Sequence, residues 1–268
     1  MFAASGDDGA YDANDGNSFP LPEFTKTLSV DDPGSQPFIT AAGGTTLPGP
    51  QEFLLSSGAI YSVTINYEQA WGWDYLDGLC RTLGLDPVSC GIFPAGGGGG
   101  VSIEWPLPSY QFGIPGMQLS QPGQVLIDTT AKPPQVLARL PAFFPGRNVP
   151  DISVNSDPDT GYTIYYTSDV NGFAILTFYG GTSFAAPQLN GVASLFDQAL
   201  GRRVGLLNYP LYNLVRSGQA YGGRNPPLRD IVHGDNWFYQ GRPVYDQATG
   251  VGVPNIANLL DTLQNPFY

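Results

Sequence analysis

The apolar spacing of this chain changes period after Ser183. Before it, short apolar or β-branched runs alternate with turns. After it, Ala185, Leu189, Val192, Phe196 and Leu200 recur at steps of four, three, four and four, which is one face of an α-helix. Gly201 follows where a helix C-cap belongs. Upstream, Phe38–Gly44, Val125–Thr130, Val149–Ser156 and Thr163–Thr167 read as strands. Strands followed by a helix specify an α/β domain. Neither an internal repeat nor a separating linker divides the 268 residues, so a single domain over 1–268 is expected, with 46–100 as an irregular, insertion-like segment.

Composition narrows the function classes. Charged residues are 13% of the chain, about half the usual share of roughly 25%. The 35 glycines and 25 prolines show no collagen period and read as many turns and long loops. Net charge is −12 and no basic run can track a phosphate backbone, which argues against nucleic acid as a partner. In strong acid the carboxylates neutralise, leaving 11 Lys and Arg plus one His. That charge is small for the length, so acid brings little self-repulsion. A merely soluble acidic protein has the same composition. No apolar run approaches the roughly 20 residues of a membrane span, and the opening residues do not read as a signal peptide. Met1 leads straight into FAASGDDGA, which reads as the middle of a fold, so a preceding segment is expected. Cys80 and Cys90, ten residues apart, are either a small-loop disulfide or two buried thiols.

Two stretches carry chemistry or raise a question of it. GGTSFAAP, Gly180–Pro187, sets Ser183 at the junction of loop and helix. The free N–H groups of a helix start can stabilise a tetrahedral oxyanion, and Gly180 and Gly181 let a substrate backbone come close. A Thr or Ser there is also an ordinary helix cap. The second stretch, Gly96–Gly100, reads either as a strand edge for a bound peptide or as a mobile loop beside the aromatic group Trp71, Trp73 and Tyr75.

GGTSFAAP closely resembles the nucleophile motif of subtilisin-like serine peptidases, and other segments select one branch of them. AASGDDG (Ala3–Gly9), TAAGGTTL (Thr40–Leu47), GGGGGVSIEWPLPSYQ (Gly96–Gln111), VPDISVNSDPDTGYTIY (Val149–Tyr165), RRVGLLNYPLYNL (Arg202–Leu214), RDIVHGDN (Arg229–Asn236) and VYDQATGVGVPN (Val244–Asn255) resemble, in order, segments of the sedolisins, or serine-carboxyl peptidases. The resemblance implies a subtilisin-like α/β fold, its mainly parallel sheet flanked by helices. It makes Ser183 the nucleophile and Asp7 the oxyanion-hole residue, with Asp8 a solvated turn residue.

In that family the base is a glutamate backed by an aspartate four residues later on one helix, which precedes the SGD turn. No such pair stands in the right place here, and neither Glu68 nor Glu104 is assigned the role. The lone His233 reads as a loop residue. The Glu and Asp are therefore expected from a second chain or fragment, or from a removed upstream segment. Asp7 must be protonated to donate to an oxyanion, and aspartate titrates near ~3.9, so acid is the expected working range.

The resemblance also implies a calcium-binding tail over 225–260. Asp230 and Asp246 would give carboxylates, and Ile231, Arg242 and Val244 backbone carbonyls, to one structural Ca2+. The family usually has glycine at the last two carbonyl positions; here Arg242 and Val244 flank Pro243. Acidic turns without a metal are the competing reading. The leading functional reading is an acid-acting endopeptidase on peptide or protein substrates, secreted or held in an acidic compartment. Its main rival is a catalytically incomplete peptidase fold used for binding or assembly. A carbohydrate-binding module rests only on the 13% aromatic content.

Overall fold

The computed structural model describes residues 1–12, 27–128, 131–133, 135–139, 141–167, 172 and 174–264. At its centre lies a parallel sheet in the order Phe2–Ala4, Thr40–Thr46, Ile152–Asn155. Phe2 is in register with Thr40, and Ile152 with Ala42. Gln69–Ala70 adds a short antiparallel edge at Thr45–Thr46. The middle strand, TAAGGTT, is buried at every residue. It is built of small residues because neighbours press on it. A Cβ at Gly43 would lie 2.5 Å from the Pro150 Cγ, and one at Gly44 2.8 Å from the Trp71 ring.

Four α-helices are described: α1 Asp77–Leu83, α2 Thr182–Leu200, α3 Asn208–Arg216 and α4 Ile256–Gln264. Helix α2 buries Ala185, Ala186, Leu189 and Phe196, the face that the spacing marks, and Gly201 caps it in the left-handed region at φ 63°. That face joins Ala42 and Ile152 of the sheet and Leu211 and Tyr212 of α3 in the main core. A buried ion pair, Arg147 Nη2 to Asp151 Oδ2 at 2.7 Å, locks this junction. Asp151 also accepts from Ala41 N at 2.7 Å and the Tyr212 hydroxyl at 2.8 Å.

Several strand expectations shift. The first begins at Thr40, leaving Phe38 exposed before it. Val149–Ser156 is not one strand. Gly146–Val149 pairs antiparallel with Gly100–Pro106, and Ile152–Asn155 enters the parallel sheet. The break falls at Pro150, which has no N–H for a ladder. Asp151 N then takes the Ala41 carbonyl at 3.0 Å, and the chain has changed partners. Val125–Asp128 is a strand, while Thr129 and Thr130 lie outside the described residues. Thr163–Thr167 is found as Tyr162–Tyr166, paired with Ala174–Tyr179 in a hairpin that leads into Gly180.

The segment 46–100 carries a hairpin, Gly49–Leu54 with Ile60–Ile65, followed by α1. Cys80 and Cys90 are disulfide-bonded, which settles the pairing that spacing left open. Gly96–Gly99 are buried, neither a mobile loop nor an edge open to a peptide. Gly96 N donates to Asp7 O at 3.0 Å, Gly97 N to Trp71 O at 2.8 Å and Gly98 N to Gly6 O at 2.8 Å. A Cβ on Gly98 would come 1.9 Å from Ser5 O, so only glycine lets these backbones meet.

Candidate active site

The turn after the first strand stays tied to the sheet, with Ser5 N donating to Ala42 O at 3.0 Å. Gly6 (φ 107°) and Gly9 (φ 57°) let the backbone reverse there. Between them Asp7 faces the start of α2. Its Oδ1 accepts from Thr182 N at 2.6 Å and from the Thr182 hydroxyl at 2.8 Å. Gly6 N in turn donates to Thr182 Oγ1 at 3.1 Å. The N-cap residue of α2, Gly181, has no side chain with which to cap the helix. A carboxylate from 175 residues away fills that place, where it also meets the positive end of the helix dipole. Thr182 is therefore not a local cap; its fully buried side chain ties the two segments together.

Gly181 is required twice. Its φ is 103°, and a Cβ there would sit 2.6 Å from Asp7 Oδ2. Asp7 is exposed as a residue, yet its carboxylate tip is covered by Gly181 and Thr182. Burial holds its carboxyl above the usual aspartate range, and the two Thr182 bonds pull it part of the way back. A proton on Asp7 belongs on Oδ2, the oxygen outside the Thr182 bonds. Ser183, the next residue along α2, is exposed.

The structure seats Asp7 on Thr182, the residue before Ser183. Among the described residues it brings neither a carboxylate nor His233 into hydrogen-bonding contact with Ser183. Glu68 is buried, accepts from Thr45 Oγ1 at 2.7 Å and pairs with Arg229. Glu104 is exposed on its strand. His233 stacks on Tyr67, ring centroids 4.8 Å apart. Asp8 is half-buried, its backbone paired with Gly96, so it is not the freely solvated residue expected.

The acidic tail converges on one turn. Asp230 Oδ2 accepts from Val244 N at 2.8 Å, and Asp246 Oδ2 from Arg242 N at 3.1 Å. Asp246 Oδ1 accepts from Ala248 N at 2.9 Å and Thr249 N at 2.7 Å. The Tyr221 hydroxyl donates to the Val244 carbonyl at 2.5 Å. Ile231, beside Asp230, is buried. Among the described residues neither carboxylate has a basic side chain as partner, and no group of three or more His, Cys, Asp or Glu gathers. Burial pushes Asp246 up to about 6, and both carboxylates help to raise Tyr221 after burial itself. Asp230 and Asp246 thus set carboxylate oxygens beside the Arg242–Val244 turn, oxygen donors of the kind a hard cation takes. Val244 adopts φ 81°, a left-handed conformation at the place where the resemblance expects glycine.

Sequence reasoning missed Asp157. It is fully buried, in the turn on which Gly180 packs. The neighbouring aromatics Trp73 and Tyr75 both donate to it, and their clustering was the one signal available.

No protein-family model matches the chain. Kumamolisin of Bacillus sp. (strain MN-32) is 31% identical over 273 residues, covering 98% of this chain and 36% of its own length. Tripeptidyl-peptidase 1 of Rattus norvegicus is 28% identical over 243 residues, 87% of this chain and 33% of its own. Sedolisin of Pseudomonas sp. (strain 101) is 27% identical over 260 residues, 96% and 33% respectively. Among solved structures, Pseudomonas sedolisin (serine-carboxyl proteinase), complexed with two molecules of pseudo-iodotyrostatin, matches with a TM-score of 0.62 at 25% identity. It covers 99% of this chain and 55% of that one. The chain spans about a third of the length of the curated relatives it matches.

Proposed function

This chain is homologous to the sedolisin-type serine-carboxyl peptidases, and from that relation we propose that it carries the nucleophile and oxyanion side of an acid-acting endopeptidase. The observation that supports this most directly is the Asp7 carboxylate seated on Thr182 N, next to Ser183 at the head of α2. In this reading Ser183 Oγ attacks the peptide carbonyl. The developing oxyanion is met by the proton on Asp7 Oδ2 and by the positive end of α2. Collapse of the tetrahedral intermediate expels the amine and leaves an acyl-enzyme, which water hydrolyses. The proton of Ser183 goes to a carboxylate base, which returns it to the departing amine nitrogen; a Glu and Asp outside the described residues would supply that base. A second chain, a separate fragment or another segment of the same protein are the candidate sources. Domain limits follow the same reading: a subtilisin-like domain over 1–268, with 46–100 inserted and 225–260 as the tail.

A structural Ca2+ belongs to this reading. Asp230 and Asp246 would hold it with the carbonyls of Ile231, Arg242 and Val244, and when bound it would tie the tail to the core. Saturating chelator is expected to lower the melting temperature, and an unchanged melting temperature counts against the ion. The Cys80–Cys90 disulfide favours an exported or otherwise oxidising location. Among the described residues no helix is long and apolar enough to cross a membrane.

The deciding experiment is peptide hydrolysis by the purified chain from pH 3 to 8, beside Ser183→Ala. Hydrolysis confined to acid and abolished in the variant is the expected result. Activity that survives the substitution removes Ser183 as nucleophile. A folded chain that hydrolyses nothing at any pH favours the second reading, a peptidase scaffold used for binding. That reading draws its support from the lack of a base at Ser183 among the described residues.

A further inference from the structure

Asp157 is fully buried and has no basic partner among the described residues, yet both its oxygens are used twice. Oδ1 accepts from Trp73 Nε1 at 2.9 Å and from Asp159 N at 3.0 Å. Oδ2 accepts from Thr46 Oγ1 at 2.8 Å and from the Tyr75 hydroxyl at 2.9 Å. Four donors from three places therefore converge on one carboxylate: the end of the central strand, the aromatic turn at 73–76 and its own turn. A buried charge held this way fixes its neighbours, because losing a donor leaves an unpaired group in a medium without water.

The other side of the same turn carries the nucleophile loop. Gly181 N donates to Ser156 O at 2.5 Å. A Cβ on Gly180 would lie 2.3 Å from Ser156 O and 2.5 Å from Pro158 N, so the two backbones lie flush. Two carboxylates thus bracket the approach to Ser183. Asp7 holds Thr182 N directly, and Asp157 holds the backbone on which Gly180 and Gly181 rest.

We propose that Asp157 is a positioning residue for the nucleophile turn, clamping Ser156–Pro158 so that Gly181, Thr182 and Ser183 stand in register with Asp7. It does not touch substrate. The catalytic meaning of this clamp rests on Ser183 being the nucleophile; the clamp itself does not.

The test is amide hydrogen exchange in the full chain with Asp157→Ala and Asp157→Asn. In the alanine variant, exchange at Gly181 and Thr182 is expected to rise about tenfold or more, the scale of one lost charge-assisted bond. The amides of α3 should stay at parental rates. Asparagine should recover most of the protection. Its oxygen can serve Trp73 and Asp159 N, while its NH2 donates to the Thr46 and Tyr75 hydroxyls, which can turn to accept. A folded alanine variant with no selective change at Gly181 and Thr182 overturns the proposal, as does a uniform change along the chain. Should alanine prevent folding, Trp73→Phe removes a single donor and must still give a smaller rise confined to those amides; no rise overturns the clamp. In any preparation that hydrolyses peptides, Asp157→Ala should lower kcat with KM within about twofold, the pattern left when Ser183 and Asp7 lose their alignment for the transition state while substrate binding is kept. If the parent hydrolyses nothing, the nucleophile reading is what has failed, and the exchange rates still decide the clamp.

Discussion

At the scale of single residues, the proposed site turns on which oxygen of Asp7 holds a proton. Oδ1 is occupied as an acceptor by Thr182 and burial favours protonation, so under the proposed function the donor to an oxyanion would be Oδ2. Asp7→Asn keeps an acceptor toward Thr182 and puts a permanent N–H donor on the other side. Its hydrolysis should therefore lose the alkaline limb set by Asp7 and extend toward neutral pH. Asp7→Ala, with no donor, should cost about 10²–10³ in kcat, the usual toll for an oxyanion-hole group. Comparison of the three pH–rate profiles checks this. An asparagine profile that coincides with the parent's would show that Asp7 does not set the pH dependence. The turns that carry Asp7 and Ser183 were legible because each is a short contiguous pattern. Asp157 was not legible, since DPDTG is an ordinary turn sequence and nothing local shows that the chain buries it.

At the scale of elements, α2 was the best-read feature, because a 19-residue helix with one buried face repeats its signal along its whole length. Its start was harder. A cap drawn from 175 residues away has no local trace. Strand limits suffered similarly: β-branched runs mark extended chain, but Pro150 decides where Gly146–Val149 ends and Ile152–Asn155 begins. The Cys80–Cys90 bond closes a short loop beside α1. Chain-entropy arguments give such a loop roughly 3 kcal/mol at most, and less if the reduced chain keeps structure. The double variant Cys80→Ser, Cys90→Ser should therefore melt at a lower temperature yet keep Ser183 and Asp7 in place. Thermal unfolding with and without reductant measures the difference; coincident curves would mean that the bond constrains nothing.

At the scale of the whole molecule, the carboxylates act together. Burial is the largest cause in raising Asp31, Asp159 and Asp246 to about 6 and Asp74 to about 7. Asp7, Asp12, Asp157 and Asp230 move in the same direction for the same reason. Asp86, exposed and held down by its bonds to Ser89, moves the other way. The linkage sign follows. A carboxyl whose folded pKa is raised binds its proton more tightly when folded, so protonation stabilises the fold. Stability should be greatest at about pH 4 and below, and should fall as pH rises from the unfolded value toward 6–7. Melting temperatures from pH 3 to 8 check this directly, and a melting temperature that climbs from pH 4 to 7 would refute it. Calcium at Asp230 and Asp246 would lessen the loss, so the series belongs in chelator.

What the sequence determined by itself is what repeats or stays contiguous: the α/β class, helix α2, the GGTS and SGD turns, and a charge balance sparse in basic residues. These need only neighbours a few residues away. Tertiary structure alone decided what depends on chain meeting chain. It closed Cys80 on Cys90, buried Gly96–Gly99 between Trp71 and the Gly6–Asp7 turn, and set Asp7 on Thr182. It also buried Asp157 in the turn against which Gly180 packs. The reason is common to all four. A hydrogen bond or a close backbone approach depends on distance in space, and folding sets that distance without leaving a mark on the spacing of residues along the chain.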